Sequence, residues 1–401
     1  MNRILFVDDE PNILQALRRS LRSLRNEWEM VFADGGVTAL AQCASAPFDV
    51  VVSDARMPGM DGSEFLGEVM RRYPDTVRLI LSGQCSRSSV LKCVAVAHQF
   101  LNKPCELGPL KSALRRLCKV RGSFPDGAVR RVIARVQQLP SQVLAYGEFA
   151  DAIESPKASI DQLAGIIASD VAMTAKVVQL VSSGFFGSPQ RVKDAVQATK
   201  LLGLDTVREL FASADVFQPR AEECTEEDLQ RLTDHSLAVA TAARRIAETL
   251  TDDPAPIGDA YLAGVLHKIG TLALIGRGRR HAPEPASSSN RHGAAAAGHA
   301  EGYPGKVCPD PGGYLVALWG VPEPVVQAIT YQHDPARCPG DFSVPLTAVH
   351  VANTLVEQPW GAPSENSGSL AMRYVQSAGG ARRLQRWREI CAACRPEGVT
   401  R

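Results

Sequence analysis

Ser53-Asp54-Ala55-Arg56-Met57-Pro58-Gly59-Met60-Asp61-Gly62 follows directly on the apolar run Val50-Val51-Val52. The passage from β-branched residues to an acid, a proline and two glycines reads as a buried strand ending in a loop. A strand without polar alternation is covered on both faces, as in a parallel sheet flanked by helices. Working outward, strands are expected at 4–7, 30–33, 50–53, 77–81 and 99–101, and amphipathic stretches with helical spacing fill the gaps. Five strand-helix repeats predict an α/β domain over residues 1–121. In a doubly wound sheet functional groups gather beyond the carboxyl ends of the strands, so the residues just past each run carry the chemistry.

Those residues are Asp8 and Asp9 after the first run, Asp54 after the third, Ser82 after the fourth and Lys103 after the fifth. Crowded carboxylates repel unless a cation lies among them, and Mg²⁺ held by a few carboxylates and waters suits such an edge. A carboxylate beside Mg²⁺ is a competent nucleophile toward phosphorus, while an ammonium and a hydroxyl hold the phosphoryl oxygens. Taken singly, Asp8 and Asp9 read as an N-cap pair ahead of Pro11, and Lys103 as a solvated turn. Their joint placement on one sheet edge favours phosphoryl chemistry.

Val7-Asp8-Asp9-Glu10, the segment 53–62, Leu81-Ser82-Gly83 and Phe100-Leu101-Asn102-Lys103-Pro104 together resemble the receiver domain of two-component response regulators. The resemblance implies a flavodoxin-like (βα)5 fold and phosphate transfer to Asp54 from a sensor histidine kinase or phosphotransfer protein. It further implies Mg²⁺ on Asp8, Asp9 and Asp54, phosphoryl contacts from Ser82 and Lys103, and reorientation of Phe100 on activation.

The breakers in 121–127 suggest a linker at 122–127, and beyond it the β pattern stops. Apolar residues recur at three- and four-residue spacing through 129–139, 160–167, 172–181, 192–202 and 207–216, predicting an all-α region. After an acidic link at 222–228 a long helix carries Asp234-His235-Ser236 and runs on through Ala247.

Gln138-Leu139-Pro140, Ala198-x-x-Leu201-Leu202-Gly203, His235-Ser236, Ala263-Gly264-x-x-His267 and Leu318-Trp319-Gly320-Val321-Pro322 resemble the HDOD domain, a helical module related to HD-type metal phosphohydrolases. The resemblance implies an all-helical HDOD output domain over 128–360; within it the stretch 276–313, rich in Gly, Ala, Pro, Ser, Arg and His without periodicity, reads as an irregular insertion, and the amphipathic pattern at 384–390 predicts a helical tail in 361–401. The metal-site positions of the catalytic relatives fall on His235, His267, Lys268 and Asn353, with Gln332-His333 as counterpart of a paired-histidine segment. A protonated lysine cannot ligate a cation, and Asn353 offers a neutral carbonyl in place of a carboxylate. Hydrolysis is therefore expected to be lost, with His235 and His267 as hydrogen-bonded core residues. Gly302-Tyr303-Pro304 matches a tripeptide of cyclic-di-GMP phosphodiesterases but precedes Gln332-His333 instead of following it; His281, His292 and His299 read as solvated.

Across 401 residues, 44 basic and 43 acidic side chains leave a formal charge of +1, so no global field recruits nucleic acid or anionic lipid. Neither a secretory leader nor a basic DNA-reading helix is recognised, so a cytoplasmic location without membrane or nucleic-acid binding is expected. The ten cysteines read as small buried hydrophobes, with Cys391-x-x-Cys394 a weak metal or redox pair. The leading expectation is a response regulator whose Asp54 gates a non-catalytic helical domain that binds a protein partner. The alternative is a metal phosphohydrolase or a cyclic-dinucleotide phosphodiesterase or sensor.

Overall fold

A computed structural model describes residues 1–82, 92–103, 107–124, 127–134, 136, 139–155, 157–183, 191–213, 225–275, 309–340, 342–356, 371–377 and 382–395. Residues 4–6, 50 and 51 are fully excluded from solvent, as unbroken apolar runs require. They lie in β1 (Asn2–Val7) and β3 (Val50–Asp54), the centre of a parallel sheet completed by β2 (Trp28–Ala33), β4 (Val77–Ser82) and β5 (Gln99–Asn102). The strand order is β2-β1-β3-β4-β5, with Ile4 paired to both Met30 and Val50, Val50 to Val77, and Leu79 to Gln99. This is the flavodoxin-like order that the receiver resemblance implies.

Helices α1 (Pro11–Ser20), α2 (Gly36–Ser45), α3 (Gly62–Arg72) and α4 (Leu107–Ser123) accompany the sheet. Helix α3 starts where the opening stretch ends. Asp61 accepts from Glu64 N at 2.8 Å and Glu64 returns the bond to Asp61 N at 3.2 Å, closing a capping box. Gly62 is required there, because a Cβ would lie 2.1 Å from the carbonyl oxygen of Asp54. Helix α4 runs through Gly122 to Ser123, so the expected linker begins inside a helix.

The remainder is helical: α5 (Gly127–Ile133), α6 (Val143–Glu154), α7 (Ile160–Ala168), α8 (Val171–Ser182), α9 (Ala195–Leu202), α10 (Leu204–Ser213), α11 (Glu226–Ala247), α12 (Pro254–Leu266), α13 (Ile269–Ile275), α14 (Pro311–Leu318), α15 (Glu323–Thr330), α16 (Val344–Leu355), α17 (Met372–Ser377) and α18 (Leu384–Ala393). Four boundaries correct the sequence reading. The helix expected to reach residue 139 ends at Ile133, ahead of Pro140, which disfavours helix in the residue before it. The one expected from 192 begins at Ala195, because the Asp194 side chain caps it through Gln197 N. The acidic link is in part the first turn of α11, where Glu226, Glu227 and Asp228 meet the positive end of the helix dipole. Residues 311–313 of the expected insertion open α14, and 276–308 lie outside the described residues. Helix α6 was not foreseen; Val143 and Leu144 are exposed apolar residues and Gly147 interrupts its stripe, which blurs the helical period.

Helix α11 packs on α12 and α16, and α15 on α14, α12 and α16, forming the helical core. The tail returns to it through Trp387, fully buried, with Nε1 donating to Thr249 Oγ1 at 2.8 Å. Among the described residues no single helix is long and apolar enough to cross a membrane.

The sheet and the helices share one hydrophobic core. At the outer edge of the sheet, Phe100 N donates to Ser183 O at 3.1 Å and Gln99 Nε2 to Leu318 O at 2.8 Å. Fully buried Arg78 donates to Ala134 O at 2.6 Å, while Arg121 and Arg130 both pair with Asp75. Burial without a facing carboxylate lowers the Arg78 pKa to about 9.

Candidate functional site

The carboxyl ends of β1, β3 and β5 bring Asp8, Asp54 and Lys103 into direct contact. Lys103 Nζ lies 2.6 Å from Asp8 Oδ2 and 2.5 Å from Asp54 Oδ1. The second oxygen of each acid is held by the backbone: Asp8 Oδ1 accepts from Glu10 N at 3.0 Å and Asp54 Oδ2 from Arg56 N at 2.8 Å. Asp8 and Asp54 are buried at 2% and 8% exposure, whereas Asp9 is half-buried. Burial lifts the Asp8 pKa above the carboxylate norm, although Lys103 opposes the rise. Burial works to lower the Lys103 pKa, but its hydrogen bonds to Asp54 and Asp8 prevail and hold it above the usual value.

Asp54 is the last residue of β3 rather than the first of the loop, and Ser82 likewise closes β4, paired in register with Asn102. Phe100 is 1% exposed, inside the core beneath the edge. Glu10, not Asp8 or Asp9, occupies the N-cap position of α1 and makes no side-chain capping bond, which leaves both acids to the sheet edge.

The second candidate centre lies between α11, α12, α15 and α16. His235, His267 and Asn353 converge there: His235 Nε2 stands 3.4 Å from Asn353 Oδ1, and the two imidazole centroids are 5.2 Å apart. Two further residues complete the cluster: Asp310, which sequence reasoning missed, and Gln332, named there only as the neighbour of His333. Gln332 Oε1 accepts from Asn353 Nδ2 at 3.1 Å, while Gln332 Nε2 donates to His267 O at 2.8 Å and to Asp310 Oδ2 at 3.0 Å. Asp310 Oδ1 in turn caps α14 through Gly312 N at 2.7 Å. Asp310 follows the irregular stretch and Gln332 precedes the histidine that drew notice; a capping acid and a buried amide carry no distinctive sequence signal. His333 turns outward, its side chain 48% exposed and 3.9 Å from Asp310.

Tautomers follow from these bonds. His267 Nδ1 donates to Gly264 O at 2.7 Å, leaving Nε2 unprotonated, and among the described residues neither that Nε2 nor His235 Nδ1 has a hydrogen-bond partner. Burial first, and Lys268 second, bring the His235 pKa down to about 4 and that of His267 well below normal. Asp310 is pushed up to about 6 by burial. Among the described residues no group of three His, Cys, Asp or Glu is placed to hold a metal ion, Cys391 and Cys394 included. Residues 281, 292, 299 and 302–304 lie outside the described part.

Comparison with known proteins assigns two families to separate parts of the chain. The response regulator receiver domain family matches residues 4–115, and the HDOD domain family residues 139–335. An uncharacterized protein of Treponema pallidum is 27% identical over 233 residues, 55% of this chain and 42% of the relative. The hydrogenase transcriptional regulatory protein HoxA of Cupriavidus necator is 29% identical over 45% of this chain and 39% of its own. The response regulator MprA of Mycobacterium tuberculosis is 34% identical over 34% of this chain and 58% of its own. The chain thus spans well under two thirds of each of these relatives. Among solved structures, the signal receiver domain of an HD domain-containing protein from Pseudomonas fluorescens is 32% identical, covering 30% of this chain and 98% of that one with a TM-score of 0.29.

Proposed function

The chain is a two-component response regulator, a receiver domain followed by an HDOD domain, and on that premise we propose that phosphoryl transfer to Asp54 gates a non-catalytic helical domain that binds a protein partner. The observation that carries this reading is the Lys103 ammonium set between Asp8 and Asp54 at the carboxyl edge of the sheet. An Asp54 carboxylate oxygen attacks phosphorus in the phosphohistidine of a kinase or phosphotransfer protein. A P–O bond forms, the P–N bond breaks, and the electron pair departs with the imidazole, which takes up a proton. Lys103 then turns from carboxylate to phosphoryl oxygen, as a preplaced cation should. Ser82, at the end of β4, supplies the hydroxyl in this reading, and Phe100 transmits the change through β5.

The acids at this edge fit Mg²⁺. They are hard oxygen donors, two of them already gathered around one positive charge, and Mg²⁺ needs only one or two carboxylates besides waters. Asp8, Asp9 and Asp54 would hold it once drawn together by the cation, since the three carboxylates are not gathered as one ligand set in this structure, and it would neutralise the incoming phosphoryl oxygens. The HDOD centre is a poor match for a divalent cation: its two imidazoles are joined by no third His, Cys, Asp or Glu placed to ligate among the described residues, Asn353 offers only a neutral amide oxygen, and Lys268 brings positive charge.

The test is capture of proteins from a bacterial lysate on immobilised wild type and Asp54→Ala, each with a small-molecule phosphodonor and Mg²⁺. A partner whose capture changes with the phosphodonor in wild type alone is the expected result. Phosphoesterase activity that depends on a divalent metal and disappears in a His235→Ala, His267→Ala variant would overturn the non-catalytic assignment.

A further inference from the structure

The helical tail lies beyond residue 335, where the HDOD match ends, yet it is seated on that domain, with α18 packed on α11 and α16. One stripe of α18 makes the contact. Trp387 and Cys391 are buried and Leu384, Ile390 and Cys394 half-buried, while Arg382, Arg383, Arg386 and Arg388 face solvent. The spacing 384, 387, 391, 394 is that of an amphipathic helix laid in a groove. Trp387 is its anchor, with Nε1 on Thr249 Oγ1 at 2.8 Å, just past the end of α11.

The groove is longer than its occupant. Where α18 ends, a cleft of about 310 Å³ is lined by Ala393 and Cys394 of the tail and by Asp234, Leu237, Thr241 and Arg245 of α11. Those four positions recur every three or four residues, so they share one face of α11 and continue the line that starts at Thr249. From Thr241 to Asp234 this face runs on for about 10 Å at the helical rise. Leu237 is half-buried there, and Asp234 supplies a carboxylate at the far end. Helix α18 does not reach it: Cys394 is its C-cap, and Pro396 and Gly398 follow, residues that do not continue a helix.

The tail is also fastened in two separate places. Ahead of α18, Ala371 N donates to His350 Nε2 at 3.0 Å, Thr347 Oγ1 bonds Tyr374 Oη at 3.0 Å, and Val375 of α17 is fully buried. Withdrawal of Trp387 therefore frees α18 without unseating α17. The tether gives α18 a high effective concentration at the groove, so a competitor needs contacts that the tail lacks. The uncovered stretch over Leu237 supplies them.

We propose that α11 and α16 form a helix-binding groove whose resident occupant is α18, and that the protein partner displaces it with a longer amphipathic helix. That helix places an aromatic residue where Trp387 sits and continues over Leu237 to a basic residue opposite Asp234. The inference rests on the partner-binding reading above and deepens it by naming the surface and the kind of segment it takes.

The test is fluorescence anisotropy on the full chain with two labelled peptides. One copies residues 382–395; the other continues that helix by about two turns of alanine, with a leucine and a lysine on the Trp387 face. Trp387→Ala, which loosens the tail, should bind the long peptide about tenfold tighter than wild type does, and so should Cys391→Glu, which lifts α18 by a different change. Leu237→Ala should cancel most of the advantage of the long peptide over the short one. Equal affinity of the long peptide for wild type and both tail variants, or no effect of Leu237→Ala, would overturn the groove. Self-association of the tail variants that excludes the peptide would overturn it too, because the face would then serve a second copy. The long peptide should also release a partner captured through Asp54; a captured partner that stays bound would overturn the groove and leave the partner-binding reading standing.

Discussion

Lys103 supplies the positive charge that lets Asp8 and Asp54 face each other inside the sheet edge. Lys103→Met removes it and should lower stability by on the order of 2 kcal/mol, since buried carboxylates are left facing one another. Added Mg²⁺ should recover part of the loss, a result readable as a rise in unfolding temperature; no Mg²⁺ response in either protein would contradict the proposed cation site. Nearby, Gly62→Ala drives a Cβ against the Asp54 carbonyl and should cost about 2–3 kcal/mol in denaturant unfolding. This edge was legible residue by residue because each group stands at the end of an apolar run whose type sequence announces. In the helical centre, His333 drew attention by its chemistry although it points outward, while its neighbour Gln332, 1% exposed, makes the bonds.

The sheet and its strand ends were readable because period and position coincide; helix boundaries depended on caps and tertiary acceptors. Asp194, for example, ends the expected continuity of α9 by bonding its own third residue, a choice that periodicity does not encode. The chain from His235 through Asn353 and Gln332 to Asp310 joins α11, α16 and the segments flanking α14 and α15, residues far apart in sequence. Its elements were foreseen but its pairings were not. Asn353→Asp places a carboxylate beside the His235 imidazole and should raise the His235 pKa from about 4, as followed by its ring-proton shifts in an NMR titration. An unchanged titration would mean that the two side chains do not meet in solution.

Among the described residues, four buried histidines are held neutral. His98 and His267 titrate well below the usual value, His235 at about 4, and His350 also low, each mainly through burial. Below pH 6.5 the unfolded chain takes up protons that these folded rings refuse, so their contribution is full above 6.5 and falls as pH drops toward the folded values. Asp170 and Asp310, both raised to about 6 by burial, act in the opposite sense, favouring the folded state as pH falls through 6. Between pH 7 and 6 the histidines prevail, and stability should fall by on the order of 2 kcal/mol. Urea unfolding at the two pH values checks the sign; equal or greater stability at pH 6 would contradict it. The seam between the domains belongs to this scale as well. Its residues, Gln99, Ser183, Leu318 and Gly320, carry no local signature, so the sequence announced two domains but not the face on which they meet.

The central claim is that Asp54 accepts a phosphoryl group. Intact-mass spectrometry of the full chain after incubation with a small-molecule phosphodonor and Mg²⁺ tests it most directly. The account predicts a gain of one phosphoryl group, lost on hydroxylamine treatment as an acyl phosphate should be, and absent from Asp54→Ala. An unmodified mass in wild type, or equal labelling of Asp54→Ala, would contradict it.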